Sequence, residues 1–278
     1  MRFIKLLFLP ITAPVQFIQN NFKSVLLLVI LFFIFSSQNE DSLQKPNLYK
    51  LSLTGPILLA DDILEEIDSI KKDTNIKGVL LDINSPGGAV SPSIEIAYAI
   101  KELNQLKPVY SYASGTIASG SYYAAIWSEK IFANPGSMVG SIGVIMQGAN
   151  FEELMEKIGV GTQTVKVGNY KEVGTATRKW TSIEEKELQK VIDDTYDMFI
   201  TDVSSARGLK KDNHKDYADA HIFTARQAKE IGLIDEVTTI NSVKRKLQQE
   251  LGIKKAIWNK EDKMNKFLDQ LVSESVSK

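Results

Sequence analysis

The stretch Lys77-Gly-Val-Leu-Leu-Asp-Ile83 is a short apolar run bounded by polar residues, and this pattern predicts a buried β-strand. A similar run at residues 48–53 predicts a second strand. Between the two runs, residues 61–72 place isoleucines at helical spacing. A strand, a helix and a strand in succession form a β-α-β unit, so we predict an α/β fold for this chain.

The chain beyond this unit continues to alternate between strand and helix patterns. Further strands are predicted at residues 108–113, 130–133, 139–146, 162–167 and 233–237, and helices at about 151–158 and at 225–231. Ser182 is followed three residues later by Glu185, which predicts a capping box at the start of a long amphipathic helix. Together these elements predict one domain over residues 47–255.

The amino-terminal part contains an uncharged apolar run at residues 24–39. The basic residues before it are Arg2, Lys5 and Lys23. The run has no polar face, and no small-x-small cleavage pattern follows it. We therefore interpret it as an uncleaved transmembrane anchor, rather than a buried helix or a cleaved signal peptide. The charge distribution predicts a single-pass protein of the cytoplasmic (inner) membrane, with residues 1–23 cytoplasmic or interfacial, residues 40–46 as a linker and the domain outside.

The carboxyl-terminal residues 256–278 form a separate amphipathic segment. Its apolar residues on one helical face are Met264, Phe267, Leu268, Leu271 and Val272. The pattern predicts either a helix docked on its own domain or a contact between subunits.

The composition excludes several kinds of site and partner. Among 278 residues, 33 Lys and Arg oppose 34 Asp and Glu for a net charge of -1, so we predict no nucleic-acid partner. Cysteine is absent, which excludes disulfides, thiolate nucleophiles and cysteine metal sites. His214 and His221 are the two histidines of the chain, and we predict neither a metal site nor a cofactor.

Two glycine-containing turns follow predicted strands. The first, Asn84-Ser-Pro-Gly-Gly88, can present backbone N–H groups to an oxyanion. The second, Gly115-Thr-Ile-Ala-Ser-Gly-Ser-Tyr-Tyr-Ala-Ala125, surrounds Ser119 with small residues that allow a sharp turn and the close approach of a peptide. The Gly120 N–H can point the same way as that of Gly88, so the two turns predict a nucleophile with an oxyanion hole. A plain turn and a serine-rich helix cap are the alternative interpretations.

A serine nucleophile needs a base, and the residues alone leave the identity of that base open. His214 lies among charged residues typical of a solvated loop, whereas His221 stands beside a strand-like pair, so a Ser/His arrangement is one alternative. A lysine is the other, provided that burial lowers its pKa from about 10.4 to about 7.5. Lys166, Lys171 and Lys179 all follow the serine, and their spacing does not choose among them.

Six short motifs occur in order along residues 48–237. They are Asn-Ser-Pro-Gly-Gly at 84–88, Ala-Ser-Gly-Ser-Tyr-Tyr at 118–123, Lys-Ile-Phe-Ala-Asn-Pro at 130–135, Val-Gly-Ser-Ile-Gly-Val at 139–144, Gly-Asn-Tyr-Lys-Glu at 168–172 and Ala-Lys-Glu-Ile-Gly-Leu-Ile-Asp-Glu at 228–236. No single motif is specific. As an ordered series, they resemble the signal peptide peptidases called SppA or protease IV, in their short single-repeat form.

The resemblance implies a fold similar to that of the Clp protease subunit and the crotonases, with repeated β-β-α units. It implies a Ser/Lys dyad in which Ser119 is the nucleophile and Lys171 the general base. It further implies that Ser141 orients the lysine amine and that the N–H groups of Gly88 and Gly120 form the oxyanion hole. The implied protein is a membrane-anchored serine endopeptidase that degrades remnant signal peptides and similar apolar peptides. It is also expected to be a homo-oligomer whose neighbours share active sites.

The chain departs from the family pattern at two places. Ser121 stands where the family usually has Gly, and Ala-Asp-Ala-His at 218–221 stands where Ala-Asp-Gly-Arg is common. These departures leave the local backbone and the substrate preference open. Two other functions also stay open: a peptidase specialised on the tail of a membrane protein, as in the stomatin-associated relatives, and a crotonase-like acyl-CoA enzyme.

Overall fold

The computed structural model describes residues 20–36 and 45–259, which fall in two units, one ending at Lys45 and one beginning at Pro46. The first unit contains helix α1 (Phe22–Ser36). Within the described residues, no helix combines the length and the apolar character needed to cross a membrane. The anchor at residues 24–39 therefore stays a prediction, and its last residues, 37–39, lie outside the described part.

The second unit is built on one sheet. Its strands are β1 (Leu48–Thr54), β2 (Gly78–Ser85), β3 (Val109–Ala118), β4 (Lys130–Ala133), β5 (Met138–Gly140), β6 (Ile222–Thr224) and β7 (Glu236–Val237). Strands β1, β2, β3, β4 and β7 lie side by side in that order, and each neighbouring pair is parallel. Strand β5 lies parallel to the second half of β3, and β6 pairs with β5 in antiparallel fashion. The predicted α/β class is confirmed.

Helices cover both faces of this sheet. They are α2 (Asp61–Lys72), α3 (Val90–Leu106), α4 (Gly120–Ala125), α5 (Glu152–Lys157), α6 (Ser182–Arg207), α7 (His214–Tyr217), α8 (Ala225–Glu230) and α9 (Ile240–Glu250). Successive residues of a strand point to opposite faces. Leu81 of β2 accordingly packs in the larger core with α2 and α3, whereas Leu80 packs in a smaller core with Val243 and Leu247 of α9. Helix α2 has the predicted bounds because its isoleucines supply the buried stripe.

A bend in β3 separates its two halves. Ile83 of β2 lies opposite Ala113 of β3, but Ser85 lies opposite Ile117, so β3 contains extra residues at this point. The Asn84 side chain stabilises the bend by accepting a hydrogen bond from the Thr116 N–H at 3.0 Å. Beyond the bend, β3 leaves β4 and pairs with β5. The end of β3, which leads into Ser119, is thereby placed beside the turn that follows β2.

Three predicted strands differ from the observed structure. The strand predicted at 139–146 ends as β5 at Gly140, because Ser141 has a positive φ of 50° and turns the chain. Residues 162–167 form no strand, and their valines are exposed rather than packed on a sheet. The last predicted strand, 233–237, is reduced to the two residues of β7.

The capping box of α6 lies one residue earlier than predicted. Thr181, not Ser182, is the N-cap, and its hydroxyl accepts a hydrogen bond from the Glu184 N–H. The Glu184 carboxylate in turn accepts from the Thr181 N–H at 2.8 Å. Ser182 and Glu185 had the right spacing, but Glu184 is the buried member of the pair and Glu185 is exposed.

The carboxyl-terminal segment is described only as far as residue 259. Trp258 forms a parallel bridge with Leu48 of β1, so the chain extends the edge of the sheet there. The predicted amphipathic face begins at Met264 and lies outside the described residues.

Candidate active site

Ser119 stands on a strained turn between β3 and α4. Its backbone angles, φ 53° and ψ -125°, are ones that a residue with a Cβ atom rarely adopts. The turn is stabilised from both sides, because the Ser119 N–H donates to the Gly140 carbonyl at 2.8 Å and the Ser119 carbonyl accepts from the Tyr123 N–H at 3.0 Å. A serine on a strained strand-to-helix turn presents its hydroxyl away from the backbone, as the nucleophile of a hydrolase requires.

The two predicted oxyanion glycines lie together beside Ser119. A Cβ atom at Gly88 would lie 2.0 Å from the Ile57 carbonyl oxygen, and one at Gly120 would lie 2.1 Å from the Ser93 hydroxyl, so neither site admits a side chain. The same Cβ atom placed at Gly120 would lie 3.4 Å from the Gly88 nitrogen, so the two glycines are close neighbours. Among the described residues, neither N–H donates to another group, so both are free to bind a developing oxyanion.

Ser121, the departure from the family pattern, joins the two turns. Its buried hydroxyl donates to the Ser85 carbonyl at 2.7 Å and accepts from the Ala118 N–H at 2.9 Å. Ser85 is the last residue of β2 and lies within the first glycine turn, and Ala118 directly precedes Ser119. The backbone thus accommodates Ser121, and the hydroxyl links the strand ends that lead to Ser119 and to the first glycine turn.

We expect Ser121→Ala to lower stability by about 2 kcal/mol, because it leaves a buried carbonyl and a buried N–H without this partner. For a domain of this size the melting temperature should fall by roughly 4 to 8 °C. Thermal unfolding followed by circular dichroism measures this change. Ser114→Ala is the control, since Ser114 lies on the neighbouring strand β3 and is exposed, with a single hydroxyl hydrogen bond to the Ile83 carbonyl at 3.2 Å among the described residues. An unchanged melting temperature for Ser121→Ala would contradict this role.

An apolar cavity of about 80 Å³ opens next to Ser119 and Gly120. Helix α6 supplies part of its wall through Met198 and Phe199, and sequence patterns alone did not indicate this contribution. Tyr123 contributes the adjoining wall, with its ring packed edge-on against Phe199 at 4.7 Å. The small volume and apolar lining suit a short apolar side chain of a bound peptide.

The Tyr123 wall is held in place by a carboxylate that sequence reasoning missed. The Tyr123 hydroxyl donates a short hydrogen bond to Asp202 of α6. Burial, together with this hydrogen bond, raises the pKa of Tyr123 well above its usual range, so the phenol stays neutral and keeps donating. No local sequence signal relates the two residues, because they are distant in the chain.

Apolar side chains also surround the mouth of the cavity. Val90 and Ile145, which both line the cavity, are 45% and 83% exposed. Exposed apolar residues grouped around a cleft mark a site that binds an apolar partner.

Ser141 lies close to Ser119 through the backbone. It follows Gly140, which pairs with Ala118 and accepts the Ser119 N–H. The Ser141 N–H donates to the His221 carbonyl at 2.7 Å, which anchors the turn. Among the described residues, no hydrogen bond involves the Ser141 hydroxyl, so it is available to orient another group.

Lys171 is placed differently from the other predicted site residues. It lies on an exposed turn, its backbone N–H donates to the Gly168 carbonyl at 3.4 Å, and it does not line the cavity beside Ser119. The described chain thus groups Ser119, Gly88 and Gly120, but it does not bring Lys171 to them. Of the alternative lysines, Lys166 is paired with Glu172.

Neither histidine lines the cavity beside Ser119. The Nδ1 atom of His214 lies 3.0 Å from the Tyr196 hydroxyl. The His221 side chain is exposed, and its backbone carbonyl binds Ser141. The geometry therefore gives no support to a Ser/His arrangement. Over residues 20–36 and 45–259, no cluster of three or more His, Asp or Glu side chains is arranged to hold a metal ion.

The fold and this site together define an α/β protein with a strained serine turn, two adjacent unpaired backbone N–H groups and an apolar cavity. The sequence pattern of peptidase family S49 matches residues 101–254, and the chain belongs to that family. The expected membership of the SppA group of peptidases is thereby confirmed.

Several curated proteins are similar to this chain. A provisionally named protease of Methanocaldococcus jannaschii is 40% identical over 183 residues, which cover 66% of this chain and 59% of that protein. A provisionally named signal peptide peptidase SppA of Enterococcus faecium is 38% identical over 177 residues, covering 63% and 52%. The chloroplast serine protease SPPA of Arabidopsis thaliana is 32% identical over 188 residues, covering 67% and 28%. The chain thus spans little more than half the length of the first two relatives.

Among solved structures, a mutant of the membrane-bound stomatin-specific protease 1510-N has a similar fold. The TM-score is 0.50 at 18% sequence identity, and the match covers 73% of this chain and 86% of that chain. At this identity the likeness concerns the fold alone.

Proposed function

We propose that this chain is a serine endopeptidase in which Ser119 attacks the peptide carbonyl and Lys171 serves as the general base. The observation that carries the proposal is Ser119 on its strained turn, next to the two unpaired N–H groups and the apolar cavity. Membership of peptidase family S49 supports the same chemistry.

The proposed reaction has two steps. The Ser119 oxygen attacks the carbonyl carbon while its proton passes to the neutral Lys171 amine, and the oxyanion is held by the N–H groups of Gly88 and Gly120. The lysine then protonates the leaving amine, which departs and leaves an acyl-enzyme. Water, deprotonated by the same amine, hydrolyses that ester. The Ser141 hydroxyl is proposed to aim the lone pair of the amine at Ser119.

We further propose that Lys171 acts on Ser119 of a neighbouring copy in a homo-oligomer. The exposed position of Lys171 supports this arrangement, because a lysine is neutral near pH 7 only when its surroundings are desolvated. The chain segment just before Lys171 carries the exposed apolar side chains of Val165 and Val167. A second copy packed there would cover these side chains and remove Lys171 from water.

The proposed substrates are apolar peptides, including remnant signal peptides, cleaved at the outer face of the membrane that anchors the chain. The small apolar cavity and the apolar mouth of the cleft support this substrate class. The apolar amino-terminal run supports the membrane location.

A serine-directed fluorophosphonate tests the proposed function. The full chain in detergent should form one covalent adduct, and peptide mapping by mass spectrometry should place it on Ser119, because only an activated serine reacts at a useful rate. The labelled protein should lose cleavage of a fluorogenic peptide with alanine or leucine before the scissile bond. An adduct on another serine, or loss of activity without an adduct on Ser119, would contradict the assignment of Ser119 as the nucleophile.

A further inference from the structure

The residue after Lys171 is a carboxylate held by two cations. Glu172 accepts hydrogen bonds from the Lys166 amine at 2.5 Å and from the Arg178 guanidinium at 3.2 Å. These two hydrogen bonds lower the pKa of Glu172, that from Lys166 having the larger effect. The backbone next to the proposed base is therefore tied down through an ionised side chain.

Arg178 connects Glu172 to Glu184 in the first turn of α6. Its two terminal nitrogens donate to the two carboxylate oxygens of Glu184, each at 2.8 Å, in the fork geometry that makes arginine–carboxylate pairs specific. The Glu184 side chain is only 3% exposed. Hydrogen bonds from Arg178, and then from Thr181, hold the pKa of Glu184 at about 2, so Glu184 is ionised near neutral pH.

Helix α6 runs from the Arg178–Glu184 pair to the cavity beside Ser119. The helix begins with the Thr181 cap that binds Glu184, and further along it presents Met198 and Phe199 to the cavity beside Ser119. The Lys171 turn and the cavity wall thus share one rigid element. Within the turn, backbone hydrogen bonds run from the Lys171 N–H to Gly168 at 3.4 Å, from Val173 to Tyr170 at 3.2 Å and from Thr175 to Glu172 at 3.0 Å, and the Glu172 side chain attaches the turn to α6 through Arg178.

We propose that Glu172, Arg178 and Glu184 form a positioning clamp, which sets the direction in which the Lys171 amine leaves the surface. The inference rests on the proposed function, because the clamp bears on catalysis only if Lys171 is the base. A base on an unrestrained turn would sample many positions, whereas proton transfer needs donor and acceptor within hydrogen-bond distance.

Three variants test the clamp in the full chain. Glu172→Gln releases the turn but leaves the Arg178–Glu184 pair intact, so it avoids stranding a buried carboxylate. Arg178→Lys keeps the net charge but loses the fork, so its effect is geometric rather than electrostatic. Glu187→Gln is the matched control, because Glu187 is on α6 and, within the part of the chain that the structure describes, forms its one ion pair with the neighbouring Lys190.

We expect kcat to fall roughly 100-fold in Glu172→Gln, with KM changed less than about threefold, since the loss is one of base placement. Arg178→Lys should show an intermediate loss, and Glu187→Gln should match the parent protein. The rate of fluorophosphonate labelling should fall in parallel with kcat.

A lower melting temperature with unchanged kcat and labelling rate in both clamp variants would overturn the inference, leaving the pairs a purely structural role. If Lys171→Ala itself retains activity, Lys171 is not the base and the proposed function fails. This outcome is distinct from failure of the clamp, in which Lys171→Ala is inactive but the clamp variants keep the parent kcat.

Discussion

Ser119→Ala should lower kcat for peptide cleavage by about 10⁴-fold or more, because no other group can form the acyl-enzyme. The fold should persist, since alanine keeps the Cβ atom and the Ser119 backbone is held by the bonds to Gly140 and Tyr123. The measurement is turnover of a fluorogenic peptide in detergent, alongside thermal unfolding. Ser114→Ala, on the strand that leads into Ser119, should retain full turnover.

A second variant at the same position, Ser119→Gly, tests the backbone strain. Ser119→Gly should be as inactive as Ser119→Ala, but it should unfold at a higher temperature, because glycine adopts the observed φ of 53° without the cost of roughly 1–3 kcal/mol that other residues incur. Full turnover in either variant would disprove the nucleophile assignment. A glycine variant less stable than the alanine variant would argue against strain at this turn.

Lys171→Ala should be nearly as inactive as Ser119→Ala, because the serine hydroxyl then has no base. If the base comes from a neighbouring copy, a mixture of the two inactive variants should regain activity. In a closed ring assembled at random from equal amounts, roughly a quarter of the sites would combine an intact serine with an intact lysine. Turnover of the mixture, after dissociation and reassembly, measures this recovery.

Lys179→Ala is the control for the lysine that sequence spacing left open, and we expect it to stay within about threefold of the parent rate. No recovery in the mixture, with both single variants inactive, would mean that serine and lysine act within one chain. Equal losses in Lys171→Ala and Lys179→Ala would leave the base unassigned and refute the choice of Lys171.

Local sequence signals predicted the elements that bury a regular stripe or stand next to a clear turn. Helix α2 has the predicted bounds because three isoleucines at helical spacing leave one register. The two glycine turns were identified because glycine and small residues are required where backbones approach closely. The strand predicted at 139–146 was too long, since apolar character there reflects a cleft wall and an exposed surface rather than a sheet.

Sequence reasoning selected Ser119 from its surroundings, but it selected Lys171 only through resemblance to a family. The structure adds a reason why spacing was insufficient. Lys171 lies on an exposed turn outside the Ser119 cavity, so no rule of helix or strand periodicity relates the two residues. Its placement as a base is a proposal that the variant mixture tests.

The sequence by itself determined the α/β class, the family and the identity of the serine turn, because these depend on short-range patterns and on residue types that the backbone demands. The tertiary structure decided what surrounds that turn. The Ser121 hydroxyl between Ser85 and Ala118, the Asp202 partner of Tyr123 and the Glu184 partner of Arg178 are contacts between side chains and distant backbone or helix positions. Such contacts depend on how the elements pack, and no local pattern encodes them.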